Sequence, residues 1–135
     1  MRPIFLALVF LTACSGEEVT SSEPLELEAR LSVIESQVFD GSCGFSACHD
    51  SSSPASGLDL SVGVAHDQLV NRAATMAPAA MLVVPGQPDS SFLVRKLRGP
   101  LGENEGLSMP YANPPLPEEE ISVIEEWIAR GAAND

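Results

Sequence analysis

The chain has 135 residues and a formal charge of −12 at pH 7, which excludes a general nucleic-acid binder, since that needs a basic footprint, and favours a neutral or basic docking partner. Eleven prolines and ten glycines exceed the roughly 12% these residues usually contribute together. One small domain with a modest core is expected, built of a few short helices joined by turns and loops.

The chain opens with "MRPIFLALVFLTAC". Arg2 gives a short positive start, residues 4–11 are an apolar run, and small residues follow, which is the pattern of a secretory signal peptide over residues 1–13. The run is too short to span a bilayer as a mature helix. Its ending, "LTAC", resembles the lipobox of bacterial lipoproteins. That resemblance implies an acylated Cys14 as the mature N-terminus, and hence a lipid anchor in the membrane. An ordinary signal cleaved nearby, leaving Cys14 a free thiol, is the alternative. Loss of Arg2 with the signal takes the charge to −13. Ser15 lacks the acidic character associated with inner-membrane retention, so the outer membrane is preferred. With lipid on Cys14, the three cysteines reduce to the pair Cys43 and Cys48 in an oxidising compartment. Residues 14–24 continue as a polar, acidic tether with no periodicity, expected to lack fixed structure.

Residues 25–135 form the expected domain. Leu27, Leu31, Ile34 and Val38 recur at spacings of four, three and four, one apolar helical stripe that Asp40 and Gly41 are expected to stop. "DSSSPASGLDLS" is turn chemistry, and "VAHDQLVNRAA" is expected to form a short helix. Met76 and Met81 flank "APAA" as expected core fillers. A helix capped by Asp89 or Ser90 is expected to end at Gly99. The last helix has Pro117 at its start, Glu118 to Glu120 complementing the dipole, and Arg130 with Gly131 at its end. Ile121, Ile124, Trp127 and Ile128 form its apolar face. No strand is expected, and the fold class read from these elements is all-α, with three to five short helices and long loops.

"SCGFSACHD", residues 42–50, holds the concentrated chemistry. Haem c attachment uses C-x-x-C-H, whereas four residues separate Cys43 from Cys48 here. On a regular helix, positions i and i+3 lie about 60° apart around the axis, but i and i+5 lie about 140° apart. Two sulfurs reach one porphyrin edge from this spacing only if the segment bulges, and Gly44 is expected to permit that through a positive φ. The residues alone leave three readings open. One is a stretched haem site. Another is a Cys43–Cys48 disulfide in a non-haem interaction module. The third is a zinc site completed by His66 or Asp67.

The order of the remaining parts resembles small single-haem c-type cytochromes. There, an N-terminal helix leads into the cysteine motif, histidine follows the second cysteine, a later loop supplies a methionine, and a C-terminal helix carries an aromatic. The matching parts are residues 27–39, Cys43 with Cys48 and His49, Met109 with Pro110, and the helix bearing Trp127. "VVPGQPDSSFLVRKL", "MP" and "EEEISVIEEWIARGA" further resemble haem-binding domains of exported bacterial lipoproteins. The resemblance implies one covalent haem c, with thioethers at Cys43 and Cys48, His49 as proximal iron ligand and Met109 as distal ligand, His66 being the rival. His/Met ligation raises the potential and fills both axial sites, so an electron carrier serving redox protein partners is expected before an enzyme. A peroxidase-like enzyme is the alternative if Met109 does not ligate. No nucleophile elbow, phosphate loop or glycosidase-like carboxylate pair is present. Arg95, Lys96 and Arg98 form a basic cluster, read either as a solvated face or as a partner for haem propionates or a docking protein.

Overall fold

The computed structural model describes residues 27–135; the expected signal peptide, the tether and Cys14 lie outside the described residues. The first helix, α1, is α-helical over Leu31–Ile34, widens into a π-helical turn over Glu35–Phe39, and returns to α-helix over Asp40–Ser42. Asp40 and Gly41 therefore continue the helix rather than stop it, and its end falls at Cys43. Leu31, Ile34 and Val38 are buried as one stripe. No side chain beside the helix start caps it. Instead Asp135 folds back, accepting the Leu31 N–H on Oδ1 and the Ser32 N–H on its carbonyl oxygen, each at 2.9 Å. Those are two of the donors that a helix start leaves unpaired, and an acidic residue suits the positive end of the dipole.

The π-turn carries Glu35, whose side chain is buried. Its carboxylate accepts the N–H of Gly63 at 2.8 Å and of Ala65 at 3.1 Å, tying α1 to the start of α2 (Ala65–Leu69).

The expectation of an all-α domain is overturned after α2. Strands β1 (Ala73–Ala74) and β2 (Ala77–Met81) pair antiparallel, with Ala73 opposite Met81, Ala74 opposite Ala77, and an irregular register between them. Among the described residues the domain is thus mixed, four short helices with one small two-stranded sheet. "RAATMAPAAM" hides the sheet because it has neither the period-two alternation nor the β-branched enrichment that marks strands. Its pairing is imposed by flanking backbone: Leu82 N–H donates to Arg72 O at 2.7 Å and Asn71 N–H to Val83 O at 2.9 Å. Pro78 is tolerated because a two-stranded sheet consists only of edges. Met76 and Met81 are exposed at 48% and 43%, so neither fills the core.

A 3-10 turn over Pro88–Ser90 precedes α3 (Phe92–Arg98). Because Asp89 and Ser90 are wound into that turn, the N-cap position moves to Ser91. The buried Ser91 hydroxyl donates to Gln87 O and accepts the Val84 N–H, both at 2.9 Å. The last helix, α4 (Glu118–Ala129), buries Ile121, Ile124, Trp127 and Ile128 as expected. Trp127 Nε1 donates to Ala133 O at 2.8 Å, so the indole is both buried and satisfied. These residues meet the α1 stripe and Leu93, Val94 and Leu97 of α3 in one core. Full burial of each such side chain stabilises by about 1.5–3 kcal/mol.

Candidate functional site

The segment after α1 is a closed loop. Phe39 O accepts two N–H groups, from Cys43 at 2.8 Å and from Gly44 at 2.7 Å, ending the helix. Cys48 N–H then donates to Phe45 O at 2.8 Å, and His49 N–H returns to Cys43 O at 3.1 Å. The expected bulge is present, but Gly44 does not supply it through a positive φ. Ala47 takes that conformation, with φ of 71°. Gly44 serves close approach instead, since a Cβ there would lie 3.3 Å from Phe39 O, a position only glycine leaves open at no cost.

His49 is fixed from two sides. Its carbonyl oxygen accepts the Leu60 N–H at 2.8 Å, and its ring Nδ1 lies 3.0 Å from Leu58 O. A carbonyl only accepts, so Nδ1 carries the proton and Nε2 of the neutral ring is left as a lone-pair donor. A carbonyl that accepts the proton on the far side of the ring is the usual device for orienting a ligating histidine.

Cys43, Cys48, His49 and Met109 all line one cavity of about 430 Å³, within the range typical of ligand pockets. Its wall is apolar, including Phe39 and Ile124 from the core, and among the described residues Lys96 is its only lysine, arginine or carboxylate side chain. Met109 comes from the loop before α4, and its N–H donates to Lys96 O at 2.8 Å. The sheet that the sequence reading omitted also contributes: Thr75 and Met76, between its strands, lie on the wall. Thr75 Oγ1 donates to Ser56 O at 3.1 Å.

His66, the rival ligand, is not on this wall. Its ring contacts Asp67 Oδ1 at 3.3 Å and Ala132 O at 3.2 Å. Among the described residues no group of three or more histidine, cysteine or acidic side chains is placed to hold a metal ion. The basic cluster divides. Arg98 is held by Glu125 and Glu118 of α4, and Arg95 pairs with Glu105 at 2.9 Å, leaving Lys96 to the cavity.

Cys43 and Cys48 are both free thiols. Burial, then the Glu120 carboxylate and Cys48, pushes the Cys43 thiol up to about 11, so it stays protonated at neutral pH and is a poor nucleophile until ionised. Glu120 is itself raised, by burial first and Glu119 second, and its Oε2 is buried without a hydrogen-bond partner among the described residues. Sequence reasoning passed over Glu120, because a glutamate in the first turn of a helix reads as an exposed dipole partner. It also missed Lys96 as a wall residue and Met76 as a second thioether there. Pro100 was the available sign for Lys96, because a proline four residues on leaves the Lys96 carbonyl without its helical donor. No protein-family model, curated protein or solved structure matches the chain.

Proposed function

We propose that the protein is a haem c-binding electron-transfer lipoprotein, related to single-haem c-type cytochromes and held at a membrane through lipid on Cys14. The observation that carries this reading is the convergence of two free thiols, one oriented imidazole and one thioether on a single apolar cavity. That donor set fits an iron porphyrin. Thiols suit covalent tethering at the ring edge, while a neutral imidazole and a thioether are the axial pair that favours a raised potential.

Cys43 and Cys48 would hold the group by thioethers, His49 would present Nε2 to the metal, and Met109 would present its sulfur. A haem bound there supplies reversible one-electron chemistry. The chain's residues set the conditions for it. The Leu58 carbonyl fixes the His49 tautomer, and the apolar wall excludes water. If His49 and Met109 both held the metal, no open site would remain for a substrate, which supports a carrier over a catalyst. Met76 lies on the same wall but is exposed, which makes Met109 the better distal ligand. The −12 charge suits a neutral or basic redox partner, and the expected signal with its lipobox-like end at Cys14 supports anchoring at the outer membrane.

The test is the visible spectrum of full-length protein matured in cells that attach haem c. A pyridine haemochrome and a covalent haem mass on the chain are expected. A colourless product of ordinary mass ends the proposal, and a mass two hydrogens below the reduced protein identifies a Cys43–Cys48 disulfide module instead.

A further inference from the structure

We propose that Lys96 is the positioning residue for Met109, clamping residues 105–109 against the cavity with its backbone and its side chain together; as far as iron ligation is concerned, this rests on the haem-site reading above. Lys96 lies in the last turn of α3 (Phe92–Arg98). In a continuing helix its carbonyl would accept the N–H of residue 100, but that residue is Pro100 and has no N–H. Helix ends leave such carbonyls needing another donor. The one that fills the place is the Met109 N–H, at 2.8 Å. The sequence "KLRGP" therefore leaves an acceptor open, and the Met-Pro loop occupies it.

The side chain of the same residue grips the segment a second time. Lys96 Nζ donates to Glu105 O at 3.0 Å and to Leu107 O, binding the carbonyls on either side of Gly106. Glycine is required between them. Gly106 has a φ of +78°, and a Cβ there would lie 3.3 Å from Lys96 Nζ and 3.7 Å from Met76 Cε. Arg95 adds an ion pair to Glu105 at 2.9 Å. Two ammonium hydrogen bonds and one backbone bond thus converge from one residue on a five-residue stretch. Charge-assisted bonds of this kind are stronger than neutral ones. Leu107 and Ser108 are exposed, so between the Arg95 ion pair at Glu105 and the packing of Met109 on the core it is the clamp that sets where the thioether sits.

The test compares wild type with Lys96→Leu, which keeps an apolar stem, removes the donors and adds no sulfur, and with Lys96→Arg, which keeps the donors. In full-length haem-loaded protein, total haem is read by pyridine haemochrome, and Met109 ligation by the sulfur-to-iron charge-transfer band of the oxidised form. Amide exchange of Met109 is followed in the same samples. Lys96→Leu is expected to keep its haem content and lose most of the sulfur band, with Met109 exchanging about tenfold faster, while Lys96→Arg restores both. An unchanged band and unchanged exchange in Lys96→Leu overturn the clamp. If wild type carries no haem or no sulfur band, the distal-ligand reading fails. The clamp then stands or falls on Met109 exchange alone, faster in Lys96→Leu supporting it and unchanged sinking it.

Discussion

The carboxylate of Glu120, at the start of the last helix, bears on the thiol of Cys43, at the end of the first. Burial, then this charge and Cys48, raises the thiol from its ordinary 9.0 to about 11. The folded chain therefore keeps this proton to higher pH than the unfolded chain does. The stability that goes with the neutral thiol is complete below pH 9.0 and is lost as pH rises through about 11. The separation corresponds to about 2–3 kcal/mol. Urea unfolding of haem-free protein across that window is expected to show the loss, and Cys43→Ser to flatten it. Protein whose Cys43 is a thioether has no S–H to titrate, so an identical alkaline loss after haem attachment would show that Cys43 remains free.

Glu35 joins the π-turn of α1 to the start of α2 through two N–H acceptor contacts. Glu35→Gln keeps the shape but turns one acceptor into an NH2 donor facing a backbone N–H. The expected cost is about 1.5–3 kcal/mol, the range for a buried bond to a charged group. A shift in the urea midpoint without a change in slope is the anticipated result. A midpoint equal to that of wild type would mean that water replaces the carboxylate at Gly63 and Ala65.

Met109 and Met76 both line the cavity, and the proposed function distinguishes them. Met109→Ala is expected to open the sixth position, giving a high-spin spectrum that responds to cyanide. Met76→Ala is expected to leave the low-spin spectrum in place. The reverse result would transfer the distal role to the sheet.

Asp135 caps α1 from the other end of the described chain. Asp135→Ala removes the side-chain acceptor but leaves the carbonyl contact to Ser32. The expected destabilisation is about 1 kcal/mol, as for loss of an N-cap, read as a lowered thermal midpoint. An unchanged midpoint would show that water caps Leu31 equally well.

The long apolar periodicities were legible in the sequence. The stripe through Leu31, Ile34 and Val38 and the face of Ile121, Ile124, Trp127 and Ile128 are buried as the spacing requires, because a helix of period 3.6 presents such positions to one side whatever it packs against. The concentration of Cys43, Cys48 and His49 within seven positions was equally plain. What the pattern could not give was the sheet of Ala73–Ala74 and Ala77–Met81, since its strands pair through backbone that neighbouring segments bring together, and small side chains carry no period.

Sequence alone therefore determined the main apolar helices and the clustering of Cys43, Cys48 and His49, for these follow from local spacing and local chemistry. Tertiary structure alone decided that Met109 comes onto the same wall as His49, that Ala47 rather than Gly44 turns the cysteine loop, and that Asp135 caps a helix 104 residues away. The placing of Met109 and the cap from Asp135 both depend on an unpaired backbone donor or acceptor finding a partner outside its own helix. Satisfying buried hydrogen bonds is a global requirement, and no local window of sequence records where the partner will be.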